Sequence, residues 1–245
     1  MDIVQQATRI IDEAQKSRVV LRALGGTAIG MRCPSAKHRN LIRDYADIDL
    51  VGHAKQDKSI KELFTGLGFE PNKRFNALHG KKRLQFSNTK EKIDVDIFLD
   101  VFQMCHKFDF KDRLELDSYT IPLADLLMTK LQVVQINEKD IRDIVVILKD
   151  HDYGSRDPDK IDLDYIAKLC SGDWGLWKTL SMNAEKISKM VADYGLSDDD
   201  TRRIKSKLAS FLRRLEEEPK SMRWRMRAAR GESSPWYETV EEVRR

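Results

Sequence analysis

Two aspartates separated by one apolar residue, Asp47-Ile48-Asp49, open a short alternating segment that runs on to Leu50, Val51 and Gly52. On an extended strand the first and third positions point the same way, about 6.5 to 7 Å apart, so the two carboxylates face one place. Like charges held that close repel each other unless a cation sits between them. Hard oxygen ligands of this kind suit magnesium, which keeps waters in its shell and shares that shell with substrate phosphates. A second segment, Ile93-Asp94-Val95-Asp96-Ile97, alternates in the same way. A third carboxylate from it would complete a two-metal clamp, one ion activating an attacking hydroxyl and the other holding a leaving pyrophosphate. Asp94 and Asp96 share a face, and spacing does not choose between them. Asp96 is taken as the third acid because it sits deeper in the apolar run, and Asp100 is read as a strand-end residue. Gly25-Gly26-Thr27 supplies the remaining part: glycine lets backbone N–H groups approach phosphate oxygens, and a following helix N-terminus favours an anion.

These residues need a scaffold. Ile3, Val4, Ala7, Ile10, Ile11 and Ala14 recur at three-and-four spacing and predict a helix over residues 1–16. Residues 19–24 read as a short buried strand that the glycines end, with a helix opening near Ala28. Residues 37–43 read as a loop and 46–52 as the first acidic strand, followed by a helix over 58–67 that stops at Gly68. Residues 74–78 and 82–86 read as two strands of a hairpin turning at His79-Gly80, before the second acidic strand. Beyond Pro122 the pattern turns helical: residues 123–136, 140–148, 161–169, 174–194 and 198–218, with a loop at Gly154-Ser155-Arg156-Asp157-Pro158. The expected class is α+β, with a mixed sheet and packed helices in residues 1–120 and a helical domain in residues 121–245.

Composition sets outer limits. Hydrophobic residues at 41% and charged residues at 34% describe a globular chain rich in exposed helix and argue against disorder. The longest apolar runs fall far short of the ~18 to 20 residues of a membrane span, and the N-terminus lacks a secretory pattern. The three cysteines, Cys33, Cys105 and Cys170, are too scattered for a disulfide framework or a zinc site. A cytoplasmic location without membrane contact is the expectation. The neighbours Cys105-His106 are read as structural, and His38, His53, His79 and His151 lack metal-ligand spacing. The formal net charge of +4 is uneven: from Thr201 onward thirteen Lys and Arg stand against seven Asp and Glu. Within that stretch Arg223-Trp224-Arg225-Met226-Arg227 interleaves an aromatic with cations. Such a segment either stacks on bases and neutralises phosphates, or packs its Trp on the core while the arginines face water.

Leu24-Gly25-Gly26, Asp47-Ile48-Asp49 and Val95-Asp96-Ile97, in that order, resemble the nucleotidyltransferase superfamily that includes DNA polymerase beta. The match covers roughly the first hundred residues. It implies a nucleotidyltransferase fold and transfer of a nucleoside monophosphate from a triphosphate to a hydroxyl acceptor. On that resemblance Gly25, Gly26 and Thr27 grip the triphosphate, while Asp47, Asp49 and Asp96 are catalytic and bind Mg2+. Twenty residues separate Gly26 from Asp47, longer than the superfamily's usual connection, so residues 32–45 stand out as an insertion.

Further on, Leu126-Leu127-Met128-Thr129-Lys130-Leu131-Gln132 and Lys139-Asp140-Ile141-Arg142-Asp143-Ile144 are similar to helical segments of AbiEii-type toxin nucleotidyltransferases of type IV toxin-antitoxin systems. There a lysine and an aspartate border the nucleotide, which implies Lys130 and Asp143 as nucleotide-binding residues, with Asp140 close behind. The same resemblance implies an RNA acceptor, transfer RNA foremost, and an antitoxin protein as partner. Two other readings stay open: an enzyme that modifies antibiotics or other small molecules, and a module that keeps the fold and binds nucleotide or RNA without turnover.

Overall fold

The structure, a computed structural model, describes residues 2–155 and 158–239. Arg156 and Asp157 of the expected loop, and the last six residues of the basic C-terminal stretch, lie outside the described residues. The fold is mixed α+β. The chain divides into two compact units, the first made of residues 1–34, 43–102 and 107–122 and the second of 35–42, 103–106 and 123–245. No helix among the described residues is long and apolar enough to cross a membrane.

The first unit is built on a five-stranded sheet. Its strands are β1 (Leu21–Leu24), β2 (Asp47–Gly52), β3 (Glu70–Pro71), β4 (Arg83–Asn88) and β5 (Ile93–Leu99), in the order β1-β2-β5-β4-β3. Only β2 and β5 run parallel, and the other pairs are antiparallel. Period-two alternation gives the sheet two unlike faces. One carries Ile48, Leu50, Leu84, Phe86, Val95 and Ile97, all 3% exposed or less, and the other carries the aspartates.

Helices α1 (Ile3–Lys16), α2 (Gly25–Arg32), α3 (Asp57–Gly66) and α4 (Lys73–His79) complete this unit. The Asp2 carboxylate accepts from the Val4 amide, and the Gln5 side chain accepts from the Asp2 amide, a capping box that starts α1. Its buried stripe of Ala7, Ile10, Ile11 and Ala14 follows helical spacing. Phe64 of α3 stacks on Phe86 with ring centroids 4.7 Å apart and meets Phe69 edge-on at 5.3 Å, closing the apolar core.

Two expectations fail in this unit for local reasons. Residues 74–78 are helix, not strand: the Asn72 side chain caps α4 by accepting from the Phe75 amide. The Asn76 side chain then accepts from the Gln85 amide at 2.8 Å and donates to the Gln85 carbonyl at 3.0 Å, supplying the edge bonds that a paired strand would have made. The second difference is that α2 begins at Gly25 itself, not near Ala28.

A short hairpin of β6 (Val101–Gln103) and β7 (Lys107–Asp109) follows the sheet. The second unit then contains α5 (Leu123–Leu131), α6 (Glu138–Asp150), α7 (Leu163–Gly172), α8 (Trp174–Met190), α9 (Asp198–Glu217) and α10 (Met222–Arg230). From α6 onward each helix has a side-chain N-cap, namely Asn137, Asp162, Asp173, Ser197 and Ser221, accepting from a first-turn amide. Such caps contribute about 1 kcal/mol apiece. Helix α5 stops at Leu131 where the sequence predicts continuation to 136. Asn183 explains the stop, donating to the carbonyls of Leu131 and Val133 at 2.7 and 2.9 Å and so satisfying the helix end.

Candidate active site

Strand register assembles the acids. Parallel pairing sets Asp47 opposite Asp94 and Asp49 opposite Asp96, with strands about 4.8 Å apart. The two carboxylates that sequence spacing leaves equivalent have different surroundings. Asp94 is exposed, whereas Asp96 is 2% exposed and faces Gln85 of β4 on its other side.

A residue that sequence reading passed over holds Asp96. Arg83 Nε donates to Asp96 Oδ1 at 3.0 Å, and Arg83 Nη2 lies 2.8 Å from Oδ2, a two-pronged contact that fixes the plane of the carboxylate. The guanidinium also lies over the rings of Phe98 at 4.8 Å and Phe75 at 5.6 Å. A carboxylate offers about four lone-pair sites, so this fork does not exhaust what Asp96 can accept.

The glycine pair meets the acids at close range. Leu24, the last residue of β1, is paired with Asp49, and α2 starts at the next residue. Gly25 has φ +64, and a Cβ there would lie 2.5 Å from Asp49 Oδ2, so both conformation and space demand glycine. A Cβ on Gly26 would meet Tyr45 at 2.5 Å and Arg43 Nη2 at 2.7 Å. Arg43, whose guanidinium lies 4.7 Å over the Tyr45 ring, thus brings a cation to the helix N-terminus, where backbone amides already favour an anion. It belongs to the long connection between Gly26 and Asp47, to which the sequence assigned no role. Thr27 is fully buried, and its hydroxyl donates to the Leu24 carbonyl at 3.2 Å, securing the turn from inside.

Among the described residues no group of three or more His, Cys, Asp or Glu could hold a metal ion by itself. Asp47 and Asp49, half-buried on one face of one strand, fit the lighter demand of magnesium, which takes one or two carboxylates and completes its shell with water and phosphate oxygens.

The other expected site residues belong to the second unit. Lys130 Nζ lies 2.8 Å from Asp143 Oδ2 and 3.3 Å from Asp140 Oδ1, with Asp143 only 2% exposed. The lysine therefore joins α5 to α6 through both acids.

In α10, Trp224 packs edge-on against Trp177 at 5.2 Å. Arg227 lies 4.6 Å over the Trp174 ring and donates to the carbonyls of Gly231, Ser234 and Pro235. Two members of the basic aromatic segment thus serve internal packing, while Arg223 and Arg225 are exposed. His106 is buried against Thr179, its Nε2 2.9 Å from the hydroxyl, and burial pushes its pKa down, in keeping with a structural residue. The chain matches no protein-family model, and a search of curated proteins finds none that is significantly similar.

Proposed function

We propose that the chain is a metal-dependent nucleotidyltransferase with a nucleotidyltransferase fold in its first unit. The observation that carries this reading is the pairing of Asp49 with Asp96 across the parallel strands, with the Gly25 turn pressed against the Asp49 carboxylate. Asp47 and Asp49 would hold Mg2+ against the triphosphate. The amides at the start of α2, with Arg43 beside them, receive its negative charge. When bound, the cation lowers the pKa of the attacking hydroxyl and neutralises charge on the leaving group.

The protein's own part is position and proton transfer. The acceptor oxygen forms a bond to the α-phosphorus as the bond from that phosphorus to the pyrophosphate oxygen breaks. The hydroxyl proton passes to Asp96, which Arg83 keeps in one orientation. The resemblance to AbiEii-type toxins favours RNA as the acceptor.

Incubation with each α-labelled nucleoside triphosphate, Mg2+ and either total RNA or a panel of small hydroxyl compounds tests the reading and identifies the acceptor. The wild-type chain transfers label and Asp49→Ala does not, with the circular dichroism of the two unchanged. Undiminished transfer by Asp49→Ala overturns the assignment.

A further inference from the structure

Between Glu70 and Glu91 the chain carries no acid, yet it has six Lys and Arg and a histidine: Lys73, Arg74, His79, Lys81, Lys82, Arg83 and Lys90. Folding concentrates most of this charge. Helix α4 and the turn after it leave Lys73, Arg74, His79, Lys81 and Lys82 exposed, and a groove of about 580 Å³ runs along Leu78, His79, Lys81 and Lys82. Its one acid, Asp57, is 2.8 Å from Lys61 and so already balanced. Aromatic rings lie among the cations, with Phe75 half-buried and its ring 4.7 Å from the exposed His79 ring.

This surface leads to the carboxylates. Phe75 touches Arg83, and Arg83 holds Asp96. The Lys82 carbonyl accepts from the Leu99 amide, and Leu99 lies three residues along β5 from Asp96, about 10 Å. Clustered cations with interleaved rings are what a flexible polyanion with stacking faces requires. A lone exposed Leu78, 71% exposed, is too little apolar surface to insert into a bilayer.

We infer that α4 and the Gly80–Lys82 turn form the acceptor surface for a single-stranded nucleic acid, its phosphates on Lys73, Arg74, Lys81 and Lys82 and a base stacked on Phe75 and His79. The inference rests on the nucleotidyltransferase reading of the neighbouring carboxylates. It assigns no acceptor contact to the Arg223-to-Arg227 segment of α10.

The test is fluorescence anisotropy with the full chain and a fluorescein-labelled single-stranded RNA of about 20 nucleotides, long enough to cover one binding face, across a salt series. Each phosphate contact on a single strand contributes about 0.7 to the slope of log affinity against log salt. The variant Lys73→Gln/Arg74→Gln/Lys81→Gln/Lys82→Gln should lose at least about tenfold in affinity and flatten the slope by about 3, and Phe75→Ala should weaken binding without changing the slope. Arg223→Gln/Arg225→Gln should bind as wild type.

Equal affinity and slope for the quadruple variant and the wild type overturn the proposal, as does loss confined to the α10 variant. Binding to vesicles of phosphatidylserine and phosphatidylcholine that exceeds binding to RNA, and is lost in the quadruple variant, makes the patch a membrane surface and overturns it equally. Unchanged melting temperatures show that the quadruple variant folds; if it does not, Lys81→Gln/Lys82→Gln replaces it, with half the slope change expected. Asp49→Ala separates the two ideas. It should bind RNA as the wild type does while transferring no label; a wild-type chain that binds RNA through α4 but transfers no label would sink the enzymatic reading and leave the surface standing.

Discussion

Replacing Gly25 by alanine places two costs on one atom. At φ +64 an L-residue is strained, by about 1 to 2 kcal/mol. The new Cβ would also stand 2.5 Å from Asp49 Oδ2, so the carboxylate or the start of α2 must move. Gly68 provides the comparison: its φ is +81, and nothing lies within 4 Å of a Cβ there. Gly68→Ala should therefore cost about 1 kcal/mol, and Gly25→Ala about 2 to 3 kcal/mol once crowding is added. For a chain of this size that corresponds to melting temperatures lower by about 3 °C and about 8 °C. Thermal unfolding followed by circular dichroism measures both. Adding Asp49→Ala to Gly25→Ala removes the crowding oxygen and should return the double variant close to the Gly68→Ala value. Equal losses at the two glycines, or no recovery in the double variant, would refute the close approach of turn and carboxylate on which the proposed site depends.

Arg83→Ala deprives the buried Asp96 of both its prongs and should destabilise the chain by about 2 to 3 kcal/mol in urea unfolding. Arg83→Met with Asp96→Leu should recover most of that loss, since no buried charge is left behind. Lys130→Met strips the cation from Asp140 and Asp143 and should cost about 3 kcal/mol, a loss that adding Asp143→Asn should reduce. For pH dependence, Lys149 beside Asp200, first through a hydrogen bond, keeps that carboxyl below its ordinary value of 3.8. A folded-state pKa below the unfolded one stabilises above about 3.8 and is lost as pH falls through the depressed value. Acid unfolding of Asp200→Asn should therefore be less steep below pH 4 than that of the wild type, while the two curves run parallel near neutrality.

What was legible in the sequence was what is local. Asp47-Ile48-Asp49 declares its strand because alternation needs no partner, and Asn137, Asp162, Asp173 and Ser197 are capping residue types standing in the sequence at the starts of α6 through α9. The misreadings share a different cause. Residues 74–78 form a helix because Asn76 bonds to Gln85, and α5 ends early because Asn183 reaches its last carbonyl, that of Leu131, from fifty-two residues away. Neither bond has a local signature. Arg83 reaches Asp96 only through the register between β4 and β5, and Arg43 meets Gly26 only because the long connection folds back. The acid-free run from Pro71 to Lys90 is legible in the composition, its six Lys and Arg matching the excess of six that the stretch beyond Thr201 reaches with thirteen against seven. Packing then committed Trp224 and Arg227 of that later segment, both half-buried, to contacts within the protein.

On the proposed chemistry, nucleoside monophosphate rather than phosphate passes from the triphosphate to the acceptor at the face bearing Asp47, Asp49 and Asp96. Parallel reactions with α-labelled and γ-labelled triphosphate in Mg2+ and total RNA test it most directly. The α-label should enter the acceptor, the γ-label should appear only in released pyrophosphate, and both signals should vanish in Asp47→Asn and Asp49→Asn. Transfer of the γ-label to the acceptor, or turnover that both variants retain, would contradict it.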